Sequence, residues 1–242
     1  MSNITNAYTI KNHDKLIKDL TKLLESGSSN DVTIVLKDGE LKANKDILMA
    51  RCAYFDRMLS NENFVEGQTN RIEMKTVEKA HMEIVLKYLF TGEATIENDE
   101  KSLNLLLQLI NLCRFLMIDE LRERIQSLAI SYLISILNPR VAISTFILSD
   151  ELQLDEIAKE CTDYISKHWQ DMSAEEKNRD CLKKLTAPQI MKILRVGEMS
   201  KDKISIFKTW YENIEDELTT EEKNCYYHQA LAAMLSKDQF HH

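Results

Sequence analysis

The sequence is short of backbone punctuation: its 242 residues hold only five glycines and two prolines, where average usage would put such residues at roughly 12% of a chain. β-Sandwiches, propellers and collagen-like repeats need frequent tight turns built from those two residue types, so the shortage argues against all three. It also disfavours glycine-loop nucleotide sites, and neither G-x-G-x-x-G nor G-x-x-x-x-G-K-[ST] occurs. Long apolar runs are missing too. The stretches Leu103–Cys113 and Leu128–Leu137 fall short of the ~20 residues that a membrane span requires. The start lacks a basic segment followed by an apolar one, so no secretory leader is expected and the Asn3-Ile4-Thr5 sequon has no bearing. Positive charge is the scarcer sign: 31 Lys and Arg stand against 39 Asp and Glu, a net charge of −8. That balance opposes a broad phosphate-binding face, and neither nucleic acid nor membrane is expected as a partner. Cys52, Cys113, Cys161, Cys181 and Cys225 form an odd, scattered set without C-x-x-C. They read as buried thiols of a reducing compartment, with a cytoplasmic or nuclear location.

What is present is a globular composition, 44% hydrophobic and 29% charged, long enough for one large or two ordinary domains. Leu16, Ile17, Leu20, Leu23 and Leu24 recur at helical spacing until Ser26-Gly27-Ser28-Ser29-Asn30 breaks the pattern. The period then changes to two. Val32, Ile34 and Leu36 alternate with Thr33, Val35 and Lys37, and Asp38-Gly39 predicts a hairpin turn into Leu41 and Ala43. Residues 46–59 predict one or two short helices, 60–63 a polar loop, 71–74 a third strand and 77–90 a helix stopped by Thr91-Gly92. From Lys101 onward the spacing stays helical, with helices expected near 119–135, 139–149, 153–168, 187–195 and 200–216.

Ser29-Asn30-Asp31-Val32-Thr33-Ile34-Val35, Leu41 to Leu48, Ala53-Tyr54-Phe55 and Leu86 to Gly92 occur in an order and spacing that resemble the BTB (POZ) domain. Asn138, the helix pairs through Cys161, the Leu185–Leu194 segment and Trp210 look like the BACK domain that follows BTB in kelch-like proteins. The resemblance implies an α+β fold: a BTB/POZ domain of helices around a small sheet over residues 1–130, then an all-helical BACK domain over 131–218. Residues 219–242 are expected to form a C-terminal helix or tail, or a truncated end of BACK.

The resemblance further implies a homodimer formed through the first helix and the region after the second strand, and an acidic residue opening the first strand that pairs near a basic residue fourteen positions on. Those residues are Asp31 and Lys45. Lys supplies the charge without the planar fork of Arg, and Asn44 stands where the family usually has His. Independently of the family, the Leu16, Ile17, Leu20, Leu23, Leu24 stripe must be covered, by the rest of this chain or by a two-fold contact with a second copy. Kelch-like relatives bind the N-terminal part of cullin-3 through a hydrophobic-x-Glu motif after the third BTB helix, and Phe64-Val65-Glu66 stands there. An aromatic anchor beside a register-fixing carboxylate concentrates binding energy in a small interface; the plain alternative is that Phe64 covers the core and Glu66 is a solvated loop charge. Leu116 and Met117 are expected near the same surface.

Other constellations read as structure. Cys225-Tyr226-Tyr227-His228 has half of a zinc-ligand spacing and no second pair nearby. His13, His81 and His168 are single histidines on amphipathic helices, and His241-His242 ends the chain. No G-x-S-x-G or H-E-x-x-H string occurs. The runs Glu175-Glu176, Glu215-Asp216-Glu217 and Glu221-Glu222 read as solvated faces, and Trp169, Trp210, Tyr164 and Phe207 as packing between helices. The reading is therefore a non-catalytic adaptor without cofactor or metal, which homodimerises and recruits cullin-3 to a ubiquitin ligase for a bound protein substrate. The alternatives are a BTB scaffold or transcriptional cofactor without cullin binding, and a decoy lacking a substrate module. Nothing after about residue 218 resembles kelch blades, a MATH domain or a discoidin-type domain, so either the chain is a fragment or BACK itself reads the substrate.

Overall fold

The structure is a computed structural model that describes residues 12–27, 30–61, 63–97, 102–169, 180–196, 201–214 and 219–235. Glu175-Glu176, Glu215-Asp216-Glu217 and His241-His242 lie outside the described residues. Residues Met1–Gln126 and Ser127–His242 form two compact units.

In the first unit, helix α1 spans His13–Ser26 and stops where Gly27 takes φ 63°, a left-handed conformation that glycine adopts without a Cβ penalty. Strand β1, Val32–Leu36, turns through Lys37 and Asp38 into β2, Gly39–Ala43, with Ile34 opposite Leu41. Alternation puts Val32, Ile34 and Leu36 into the core. Strand β3, Arg71–Met74, lies parallel to β1, with Ile34 opposite Ile72, and the sheet order is β2-β1-β3. A parallel neighbour requires a crossover. Helices α2 (Lys45–Arg51), α3 (Ala53–Ser60) and α4 (Val65–Thr69) supply it, and α4 ends at Asn70 in a left-handed conformation, φ 51°. Asn44 caps α2, its side chain accepting from the Ile47 N–H at 3.0 Å. This helix-starting role suits a short amide side chain.

Helices α5 (Lys79–Thr91) and α6 (Ser102–Phe115) complete the unit, with α5 packed against α1, α2, β2 and α6. Ile34, Leu48, Phe55, Ile72, Met82, Val85, Leu107 and Leu109 are withdrawn from solvent, and burying each such side chain contributes roughly 1.5–3 kcal/mol before the entropy of ordering is set against it.

Helix α7, Asp119–Ile136, contains both the division after Gln126 and residue 130, where the domain boundary is expected. The second unit is helical among its described residues: α8 (Pro139–Glu151), α9 (Asp155–Lys167), α10 (Ala187–Arg195), α11 (Lys201–Ile214) and α12 (Thr220–Leu235). Asn138 starts α8 by accepting from the Arg140 and Val141 N–H groups, with Pro139 directly behind it. Helix α8 packs on α9, α9 on α10, and α10 on α11 and α12. Phe146, Ile157, Cys161, Ile190, Leu194 and Trp210 form the core, and the Trp210 indole N–H donates to the Leu185 carbonyl at 3.0 Å. Trp169, Trp210 and Phe207 are buried and the Tyr164 ring stacks on His168, so these aromatics serve packing.

Candidate protein-interaction surface

Phe64 precedes α4 in extended conformation, its N–H bonded to the Asn61 carbonyl and its own carbonyl accepting from Gln68 N–H. The expected loop is therefore a one-turn helix that begins at Val65. Phe64 is 39% exposed and Val65 68% exposed, unlike most apolar side chains of this unit. Gly67 lets the turn close: a Cβ there would run into the Asn61 carbonyl oxygen, so glycine holds α4 against the end of α3.

Tyr54, on α3, links this turn to the end of α6. Its ring lies 4.9 Å from that of Phe115, centroid to centroid. Burial, and then the nearby Glu66 carboxylate, push the Tyr54 hydroxyl above its usual pKa, which keeps it a neutral donor. Phe115 is 53% exposed. Two residues on, Met117 occupies the turn into α7 with φ 58°, a conformation unusual for a residue with a side chain, and is 46% exposed.

Leu116 departs from expectation. It is 0% exposed, its carbonyl accepts from the Cys52 thiol at 3.3 Å, and its side chain belongs to the core. The turn alternates inward and outward, so only Met117 of the pair is available to a partner. Tyr54 and Phe115, which the sequence reading did not assign to this surface, join it. The available signal was Phe115 sharing one side of α6 with Gln108 and Asn111 at helical spacing.

The other expected surface is α1. None of its residues is buried: Leu16 is exposed, and Ile17, Leu20, Leu23 and Leu24 are half-covered, with α5 along one side of the helix. Nearby, the expected charge pair is replaced by a different contact. The backbone N–H of Lys45 donates to Asp31 Oδ1 at 2.7 Å, while the Lys45 ammonium donates to Asn70 Oδ1 at 2.9 Å. Asp31 thus holds the start of α2 through a peptide N–H, and Lys45 reaches across to Asn70, the residue between α4 and β3. Among the described residues no group of three or more His, Cys, Asp or Glu converges as a metal site would, and no helix is long and apolar enough to cross a membrane.

The profile of the BTB/POZ domain family matches residues 20–133, the stretch that carries the three-stranded sheet and its helices. Rho-related BTB domain-containing protein 2 of Homo sapiens is 31% identical over 110 residues, 46% of this chain and 14% of that protein. Kelch-like protein 38 of Danio rerio is 24% identical over 195 residues, 81% of this chain and 31% of that protein. The BTB domain of human gigaxonin superposes with a TM-score of 0.39 at 19% identity, covering 50% of this chain and 95% of that domain. The chain thus corresponds to less than a third of the length of these two curated relatives. Residues 20–133 thus carry a BTB/POZ domain, in an α+β fold with a helical C-terminal part. Domains of this kind are generally non-catalytic protein-interaction scaffolds or adaptors.

Proposed function

We propose that the chain is a BTB-BACK adaptor that homodimerises through α1 and recruits the N-terminal region of cullin-3, so that a bound protein substrate is presented to a ubiquitin ligase. BTB domains generally dimerise and kelch-like BTB proteins bind cullin-3. Catalysis belongs to the recruited partners, and the second unit, read as BACK, acts as a helical spacer or substrate reader in the cytoplasm or nucleus.

The observation that carries this reading is the exposure of Phe64 and Val65 on a turn linked through Tyr54 to exposed Phe115 at the end of α6, two residues before Met117 in the turn into α7. Four exposed apolar side chains and half-buried Tyr54, with one carboxylate among them, form the anchor-plus-register arrangement of a compact interface. Met117 in a left-handed turn supports it, because a side chain kept where glycine would be easier points to a use for that side chain. The half-covered α1 supports dimerisation by an isologous helix contact, and two copies of a weak substrate contact would act with raised effective concentration. Co-purification of the cullin-3 N-terminal region with the full chain tests the reading. Retention by the wild type and loss with Phe64→Ala is the expected result, and no retention by the wild type refutes it.

A further inference from the structure

We infer that Met117 is a reversible oxidation site: conversion of its thioether to the sulfoxide turns off docking at the surface that carries Phe64 and Phe115 and leaves the chain folded, an inference that rests on the cullin-3 reading of that surface.

The main chain alone closes the turn between α6 and α7. Met117 N–H donates to the Arg114 carbonyl at 3.2 Å and Ile118 N–H to the Cys113 carbonyl at 2.9 Å, the paired bonds that end a helix on a left-handed residue. The second unit holds the same turn between α8 and α9. There Gln153 N–H donates to the Asp150 carbonyl at 3.1 Å and Leu154 N–H to the Ser149 carbonyl at 2.8 Å. The left-handed residues have φ 58° at Met117 and 56° at Gln153. The strings Leu116-Met117-Ile118-Asp119-Glu120-Leu121 and Leu152-Gln153-Leu154-Asp155-Glu156-Ile157 correspond position by position. Ile118 and Leu154 are buried, as are Leu121 and Ile157, while Met117 and Gln153 are both exposed. One backbone solution therefore carries a thioether in the first unit and an amide in the second. Glutamine bears its side-chain oxygen on the δ atom, as methionine sulfoxide does, so Gln153 is an internal precedent for an oxygen at that point of the turn.

Accessibility singles out Met117. Among the described side chains Met74, Met82 and Met191 are buried and Met49 and Met58 are half-buried, whereas Met117 is 46% exposed. A hydroperoxide is the oxidant. A lone pair of the Met117 sulfur takes one peroxide oxygen, the O–O bond breaks and water leaves, so the sulfur is oxidised by two electrons and the peroxide reduced by two. A thiol-dependent methionine sulfoxide reductase reverses the step, two thiols becoming a disulfide as the oxygen departs in water. The sulfoxide replaces a soft, adaptable contact with a polar one. Phe64, Val65 and Phe115, the other exposed contributors to this surface, are apolar, and an oxygen enclosed among such groups loses its water without gaining a donor.

The test treats the full chain with hydrogen peroxide, removes the peroxide with catalase, restores the thiols with dithiothreitol and maps each methionine by peptide mass spectrometry. Calorimetry with the cullin-3 N-terminal region follows. Met117 should be oxidised faster than Met49, Met58, Met74, Met82 and Met191, with an unchanged urea midpoint and affinity lowered by roughly tenfold or more. Methionine sulfoxide reductase should restore binding. Met117→Leu keeps the other methionines and should have one affinity before and after peroxide, while Met117→Gln should stay folded and bind as weakly as the oxidised wild type. Slower oxidation of Met117 than of the covered methionines, equal affinity of reduced and oxidised wild type, a peroxide-sensitive Met117→Leu, or unfolding on oxidation would each overturn the proposal. Binding that survives oxidation removes the switch alone; an untreated wild type that does not bind the cullin region removes the cullin reading and the switch with it.

Discussion

Asp31 and Lys45 meet through a main-chain hydrogen bond, not a charge pair: the Lys45 N–H donates to Asp31 Oδ1 at 2.7 Å, and the ammonium is turned to Asn70. What the position needs is therefore an acceptor oxygen. Asp31→Asn keeps one and should retain nearly wild-type stability in urea unfolding, whereas Asp31→Ala should lose about 1 kcal/mol. The loss should be similar at low and at molar salt, where a surface ion pair would be screened. Equal losses for Asn and Ala would restore the ion-pair account.

The uncovered stripe of α1 makes its own prediction. Leu16 is 55% exposed and makes no core contact that a polar residue would empty, so Leu16→Asp should leave the circular dichroism spectrum unchanged. Light scattering should show the wild type at twice the chain mass and the variant at or near the monomer mass. A monomeric wild type would mean that α1 is covered within the chain.

Met117 separates folding from binding. Its φ of 58° costs a side-chain-bearing residue stability that glycine recovers in part. Met117→Gly should therefore unfold at equal or higher urea concentration, with a gain of up to about 1 kcal/mol, while its affinity for the cullin-3 N-terminal region falls. A variant that is both less stable and unaltered in binding would make Met117 an ordinary turn residue.

The thiols give a pH signature. Burial pushes Cys113 and Cys161 up to about 12, above the usual value near 9, so folding favours their protonated form. Their contribution to stability is complete below pH 9 and is lost as pH rises through the window from 9 to 12. Denaturation midpoints should fall across that window, and less so in Cys113→Ser/Cys161→Ser measured against its own neutral-pH stability. At pH 8 an alkylating reagent should modify exposed Cys225 first and reach Cys52, Cys113 and Cys161 only on unfolding.

Periodicity made most of the fold legible. The α1 stripe, the β1–β2 hairpin at Asp38-Gly39 and the described helices between residues 102 and 214 lie where the spacing of apolar residues put them, because burial of one face is a local pattern. What the pattern left open depends on three dimensions. Leu116 and Met117 are adjacent apolar residues, and only the left-handed turn at Met117 decides that one points inward and the other outward. Phe115 has the composition of a core residue and the position of a surface one. Asp31 and Lys45 advertise a charge pair, yet the closer competitor for the carboxylate is a peptide N–H and the closer partner for the ammonium is Asn70, 25 residues away in sequence. The α4 turn was hidden because five residues are too few to show a helical period.

The central claim is tested most directly by isothermal titration calorimetry of the full chain with the cullin-3 N-terminal region, comparing wild type, Phe64→Ala and Glu66→Lys. The account predicts saturable binding by the wild type with one cullin chain per protomer, at least tenfold weaker for each variant, as expected when a central aromatic anchor or its flanking carboxylate is lost. Absence of heat and of binding with the folded wild type, or undiminished affinity in both variants, would contradict it.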